Sequence, residues 1–280
     1  MKRLPIYFLM LSVTACAQPK PEYNSPPHYD LNNPVKYAMP DDLEEISGIA
    51  FYKGDSSILY AEQDEKGKVY WMHPGDDKAN HFDFGKHGDY EDIALTDNTA
   101  FLLRSDGVLF SFPFNGTNMI ADNVQEWKDI LPSGEYEAMY ADAANSRLYV
   151  LCKNCKADNN KTTTGYIFQL QHHGSAVSLS GTFSIRAKQI TAITGKKIIR
   201  LRPSAMTKNL LTNEWYILSS IHKMLVVTDD TFHVTAVYHL DPKLFVQPEG
   251  ITFDSNHNLY ISNEGAHIQS GTVFRFPYLR

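Results

Sequence analysis

The 280-residue sequence predicts an all-β fold, a five-bladed β-propeller, and three observations carry that expectation. A short polar motif recurs five times, each copy is followed by further apolar runs of strand length, and no stretch has the period of a long amphipathic helix. The copies lie at residues 45–51, 89–95, 135–140, 202–206 and 247–253. With Ser47, Glu91, Glu137, Ser204 and Glu249 as equivalent positions, the intervals are 44, 46, 67 and 45 residues. Several short strands repeated at such a period describe propeller blades, a closed arrangement that leaves no long exposed sheet edge.

Each copy supplies a first strand. Second runs follow at 58–61, 100–103, 147–151, 215–218 and 258–261, and third runs at 68–71, 108–112, 166–170, 224–227 and 272–276. They are rich in aromatic and branched residues and bounded by Gly, Asn and Asp, the composition of half-buried strands separated by turns. Fourth runs are read at 81–84, 197–201 and 234–238. None follows the fifth copy before Arg280, so residues 35–39, which have no other partner, are expected to close the last blade. The long third interval carries the polar insertion 153–164; a degenerate sixth blade around 174–195 is the alternative reading.

Ahead of the repeats, Lys2 and Arg3 precede an apolar stretch over 4–13 and small residues ending at Cys16. Residues 1–15 are read as a lipoprotein signal peptide and Cys16 as the lipidated residue that attaches the chain to a bilayer; an ordinary secretory signal is the alternative. Residues 16–34 are proline-rich and are expected to form a flexible tether, with the propeller domain over 35–280. No later stretch approaches the roughly 20 apolar residues of a membrane-spanning helix. This places the protein in a bacterial cell envelope. Ala17 and Gln18 favour the outer membrane, with the face open. A net charge of −6 gives no basic footprint, so nucleic acid is not an expected partner.

The repeats resemble the SdiA-regulated (YjiK-like) family of bacterial envelope proteins over about residues 35–280. The resemblance rests on residues 46–50, 90–94, 135–138, 203–206 and 247–251, with 259–264 closing the series, and on the order Ser, Glu, Glu, Ser, Glu at the equivalent positions. It implies a five-bladed propeller distantly similar to NHL-repeat and phytase-like propellers, and an association with calcium. It implies no particular reaction. Ser219, Ser220, Ile221 and His222 stand where relatives carry an acidic pair, so that loop is not expected to supply the same contacts.

In a propeller the first strand of each blade lines the central channel, so Ser47, Glu91, Glu137, Ser204 and Glu249 should ring one mouth. Second strands return antiparallel to the same mouth, bringing Asp64, Glu65, Arg104, Lys153, Ser219, Ser220, Asn263 and Glu264 near it. Clustered carboxylates require a compensating cation. One reading is a hard cation on Glu91, Glu137 and Glu249, completed by serine hydroxyls, carbonyls and water. The other is pairing of Arg104 and Lys153 with Glu91 and Glu137. The resemblance favours the metal, and the oxygen-only donors favour calcium over softer ions.

Cys152 and Cys155 are spaced for a local disulfide or, with His172 and His173, for zinc; an oxidising envelope favours the disulfide. His73, His81 and His87 are read as solvated loop residues. The chain lacks a nucleophile elbow, a P-loop and a His-Glu-x-x-His motif. Three function readings remain. One is a non-enzymatic lipoprotein whose mouth holds a cation and recognises a small molecule, glycan or protein. Another is a calcium-dependent hydrolase of the phytase, esterase or lactonase kind, against which stands the small number of cations, Arg104, Lys153 and Arg202, available for a phosphate. A purely structural module with a salt-bridged channel is a third reading.

Overall fold

The structure, a computed structural model, describes residues 23–116, 123–156, 158, 161–171, 174–265 and 270–280. Five four-stranded antiparallel sheets follow one another along the chain. Blade 1 is β2 (Ile46–Ala50), β3 (Leu59–Gln63), β4 (Lys66–Met72) and β5 (Asn80–Asp83). Blade 2 is β6 (Tyr90–Leu95), β7 (Thr99–Arg104), β8 (Leu109–Pro113) and β9 (Gln125–Trp127). Blade 3 is β10 (Gly134–Asp142), β11 (Arg147–Cys155), β12 (Thr162–Gln171) and β13 (Ala176–Arg186), followed by helix α1 (Ala187–Thr194), the only α-helix among the described residues. Blade 4 is β14 (Ala205–Asn209), β15 (Glu214–Ser219), β16 (Met224–Thr228) and β17 (Val234–His239). Blade 5 is β18 (Pro248–Phe253), β19 (Leu259–Asn263) and β20 (Thr272–Phe276), completed by β1 (Val35–Ala38).

The ring closes as the repeat arithmetic requires. Strand β1 pairs antiparallel with β20, Val35 opposite Arg275 and Ala38 opposite Thr272, so the two ends of the propeller are stitched into one sheet. Apolar residues from facing sheets then meet at the five seams. Tyr216 and Leu218 of blade 4 pack with Ile251 and Ile261 of blade 5, and Phe101 of blade 2 packs with Met139 and Val150 of blade 3. Each seam removes aromatic and branched side chains from water at about 25 cal/mol per Å², the principal force holding neighbouring blades together.

The long third interval is absorbed within blade 3 rather than by a sixth blade. Strands β10 to β13 are the longest in the molecule, and β13 pairs with β12 from Thr162 opposite Arg186 to Gln171 opposite Ala176. The fourth strand of this blade is therefore β13. Residues 197–201, expected to fill that role, are irregular and tuck Leu201 inward, where its carbonyl accepts the Thr163 hydroxyl at 2.7 Å. Strand β13 is a largely exposed edge with mixed polarity, which hides its period from the sequence.

Residues 23–34, expected to belong to a free tether, pack against the propeller. Tyr29 and Leu31 are 5% and 3% exposed and join the seam between blades 4 and 5, and the Tyr29 hydroxyl donates to the His257 carbonyl at 2.8 Å. Two apolar side chains in a proline-rich stretch suffice to dock it. Cys16 and the signal segment 1–15 lie outside the described residues. Among the described residues no helix is long and apolar enough to cross a membrane.

Candidate functional site

At two positions near the axis, Gly48 of blade 1 and Gly250 of blade 5, the neighbouring first strand approaches so closely that a Cβ is excluded. A Cβ on Gly48 would lie 2.7 Å from Asp92 Cα and 2.7 Å from the Ile93 nitrogen, and one on Gly250 would lie 2.5 Å from the Ser47 carbonyl oxygen. At this end of the first strands the ladder slips. Register shifts fall between Ile46 and Ile49, Tyr90 and Asp92, Tyr136 and Ala138, and Pro248 and Gly250. Ser47, Glu91, Glu137 and Glu249 thus sit at β-bulges, where an unpaired residue can be re-aimed away from the alternation of its strand. Blade 4 has no bulge there; Ser204 precedes β14 and its N–H donates to the Leu218 carbonyl at 3.0 Å.

The bulged glutamates meet at one mouth. A cavity of about 240 Å³ is lined by Glu45, Ser47, Asp64, Asp89, Glu91, Ser105, Glu135, Glu137, Lys153, Gln247, Glu249 and Glu264. A second, of about 320 Å³, shares Glu137, Lys153, Gln247 and Glu249 with the first and adds Arg202, Ser204, Ser220, Ile221 and Lys223. The expected set Ser47, Glu91, Glu137, Lys153, Ser204, Glu249 and Glu264 is therefore assembled.

Three expectations need correction. Arg104 does not enter either cavity: its Nε and Nη2 each lie 2.9 Å from the Asp106 carboxylate, and its guanidinium stacks over Phe110. Ser105, in the turn that follows β7, lines the mouth instead. The serine hydroxyls are not open ligands. Ser47 Oγ donates to the Glu91 carbonyl at 2.9 Å and Ser204 Oγ to the Pro248 carbonyl at 2.8 Å, each tying one first strand to the next.

The third correction concerns the metal. The Lys153 ammonium is bonded to Glu137 Oε1 inside the mouth, and its charge also acts on Glu91 and Glu249. Glu137 is therefore committed to a lysine, and among the described residues no three His, Cys, Asp or Glu side chains are grouped as metal ligands. Glu91, Glu137 and Glu249 do not form a calcium cage, which needs six to eight convergent oxygens. The salt-bridge reading holds for Lys153 and fails for Arg104.

Burial raises the proton affinity of four of these carboxyls, Glu91, Glu264, Asp64 and Glu249, joined in the first three by repulsion from neighbouring acids. Desolvation, then Asp89 and Glu62, push Glu91 up to about 9. Desolvation, then Glu249, Asp64 and Glu45, push Glu264 to about 7, and burial with Glu45, Glu65 and Asp89 pushes Asp64 to about 6. Burial raises Glu249 as well, opposed by Lys153, Ser220 and Lys223. Asp64 Oδ1 is a buried acceptor with no partner in the structure.

Behind the mouth lie two acids the sequence reading passed over. Glu62 is fully buried, accepts the Gly48 N–H at 2.6 Å through Oε1, leaves Oε2 unpartnered, and is pushed up to about 8 by desolvation. Asp92 accepts the Ile93 N–H at 2.8 Å and the Met139 N–H at 2.7 Å, bridging blades 2 and 3. Glu62 is a lone acid in an apolar run, a signal visible in the sequence, whereas Asp92 is masked there by the adjacent Glu91 and by Asp89; the partners of neither can be named from sequence.

The loop over 219–222 is mostly self-contained. Ser219 Oγ donates to the Arg202 carbonyl at 2.5 Å and lies 2.9 Å from His222 Nδ1, while Ser220 and Ile221 face the second cavity. Cys152 and Cys155 form a disulfide with Cα atoms 6.0 Å apart, flanking Lys153; His172 and His173 lie outside the described residues. His73, His81 and His87 are exposed. The opposite mouth is a separate cavity of about 490 Å³ whose floor includes Ile49, Ile93, Met139, Met206 and Ile251.

No family model and no curated protein matches this chain. Solved structures do. The glutaminyl cyclase of Myxococcus xanthus aligns with a TM-score of 0.59 at 13% identity, over 86% of this chain and 93% of that one. A luciferin-regenerating enzyme aligns with a TM-score of 0.50 at 9% identity, over 88% and 95%. A calcium-binding protein, regucalcin from Agrobacterium tumefaciens, aligns at 0.49 and 12%, over 84% and 91%. At these identities the likeness is one of fold, and the fold is a propeller.

Proposed function

We propose that this protein is a lipid-anchored propeller of the bacterial envelope whose acidic mouth binds a cationic small molecule, and that it acts by binding rather than by catalysis. One observation carries the reading: carboxylates from blades 1, 2, 3 and 5 converge on one 240 Å³ cavity in which Lys153 is the single lysine or arginine. Carboxyls whose proton affinity is raised by burial and by neighbouring acids bind a cation with release of protons, and the ligand supplies the charge that the protein withholds.

An organic ammonium suits this cavity better than calcium. Its N–H groups take acceptors singly and in varied directions, whereas calcium needs a convergent cage that Lys153 interrupts. Membership of the SdiA-regulated (YjiK-like) family and acylation of Cys16 belong to the same proposal, supported by the basic start, the apolar stretch and the repeat motifs. Outer-membrane placement follows from Ala17 and Gln18.

The test is calorimetric titration of the full-length protein in detergent with butylamine and, separately, with calcium chloride. Butylamine should bind and Glu91→Gln should weaken it at least tenfold. Absence of amine-linked heat in the wild type overturns the reading, and tight calcium binding without amine binding replaces it with the metal. Mass spectrometry of the membrane fraction should find an acylated N-terminal Cys16; a chain processed elsewhere removes the anchor.

A further inference from the structure

The charge at this mouth is divided rather than uniform. The first chamber is walled by Glu45, Asp64, Asp89 and Glu91 from blades 1 and 2 and by Glu264 from blade 5. Across the shared wall of Glu137, Lys153, Gln247 and Glu249 lies the chamber of blades 4 and 5, to which Arg202 and Lys223 contribute. The division begins in the sequence. From residue 159 to residue 213 there is no Asp or Glu, while Arg186, Lys188, Lys196, Lys197, Arg200 and Arg202 crowd the end of that run, in a chain whose net charge is −6. The last of these cations, Arg202, lies three residues before β14, the first strand of blade 4, and so reaches the mouth.

The cations of the second chamber are not equally engaged. Lys153 is bonded to Glu137. Lys223 Nζ donates to the Val246 carbonyl at 2.6 Å, and burial lowers its proton affinity. Arg202 has no ion-pair partner among the described residues, and its side chain is exposed at the cavity wall. Beside it Ile221, 55% exposed, offers an apolar surface in the same chamber.

A ligand carrying only positive charge would answer the first chamber and leave the guanidinium of the second unmatched. We propose that the natural ligand is a small zwitterion, an ammonium and a carboxylate joined by a short apolar spacer. The ammonium seats among Glu91, Asp64 and Glu264, and the carboxylate seats on Arg202. A guanidinium presents a planar fork that matches a carboxylate in two parallel hydrogen bonds, which a lysine cannot do. The spacer crosses the shared wall beside Ile221. This inference rests on the cation-binding reading above and narrows it from any ammonium to one with an anion at its far end.

The probes are ω-amino acids and the alkylamines and carboxylates that match them: 4-aminobutanoate, 6-aminohexanoate and 8-aminooctanoate, with butylamine, hexylamine, octylamine, butanoate, hexanoate and octanoate, titrated into the full-length protein in detergent. At least one amino acid of the series should bind ten times or more tighter than its alkylamine, and the carboxylates alone should give no saturable heat. Arg202→Gln should bring the amino acid and the alkylamine to within threefold, whereas Glu91→Gln should weaken both. Thermal melts of each variant report whether it is folded, and an Arg202→Lys variant, which keeps charge but not the fork, should recover only part of the preference. Alkylamine binding with no preference for any amino acid, or a preference that survives Arg202→Gln, overturns the zwitterion and leaves the cation site standing. Failure of every amine to bind overturns both.

Discussion

Lys153 is bonded to Glu137 at the propeller axis, one from the second strand and one from the bulge of the first strand in the same blade. The pair is unequal in exposure, with the lysine side chain 26% and the glutamate 8% accessible, so the carboxylate is the partner that depends on the bond. Replacing Lys153 by Met leaves a buried carboxylate without its cation, a change that costs about 3–5 kcal/mol in comparable buried pairs. The expected outcome is a large drop in the urea midpoint. Adding Glu137→Gln should restore most of it, because the pair is then removed together; a double variant as unstable as the single one refutes the coupling.

Glu62 makes stability depend on pH in a definite direction. Its carboxyl has an ordinary value of 4.5 and is raised to about 8 in the fold by burial, so the fold favours the protonated form. The stability this provides is complete below pH 4.5 and is lost as pH rises toward 8. Glu62→Gln keeps an acceptor for the Gly48 N–H and cannot ionise. Urea denaturation at pH 5, 7 and 9 should therefore show the variant gaining on the wild type as pH increases. Parallel curves would show that Glu62 does not titrate in this window.

Amine binding should strengthen from pH 6 to pH 9. Glu91 and Glu264 are held up at about 9 and about 7, and a cation binds their ionised forms. Calorimetry in two buffers of different ionisation enthalpy should detect protons released on binding. Affinity that is flat across this range would place the ligand away from Glu91 and Glu264.

Gly48→Ala should be severely destabilising, because the added Cβ meets backbone atoms of Asp92 and Ile93 that cannot move without breaking the bridge to blade 3. Overpacking of a tight site costs about 1–3 kcal/mol. Gly181→Ala is the control: the new Cβ finds only Ile167 Cδ1, at 3.9 Å. Thermal melts should separate the two clearly, and equal melting temperatures would refute the close approach at the axis.

The disulfide closes a loop with a sequence separation of 3, so its entropic contribution to global stability is small, about 2 kcal/mol. Its larger effect should be local. Cys152 and Cys155 flank Lys153, and a Cys152→Ser/Cys155→Ser variant should lose more in amine affinity than its melting temperature suggests. Unchanged affinity would mean that the bond does not position Lys153.

The blade count and the closing strand 35–39 were legible in the sequence, because each follows from spacing: repeats near 46 residues define blades, and equivalent positions in equivalent strands share one end of a ring, which brought Glu91, Glu137 and Glu249 to one mouth but gave no sign of Glu45, Asp89, Glu135 or Gln247 beside them. Spacing does not say where a side chain points. One inserted residue reverses the alternation of a strand, so the bulges at Glu91, Glu137 and Glu249 are invisible until the pairing is known, and so is the exchange of Ser105, in the turn after β7, for Arg104. Nor does it reveal contacts between distant segments. The docking of Tyr29 and Leu31, the burial of Glu62, the hydroxyl stitches of Ser47 and Ser204, and the capture of Glu137 by Lys153 depend on distances that only closure of the ring sets. The local chain decides which residues reach the axis; packing around that axis decides which of them are already paired and which remain for a ligand.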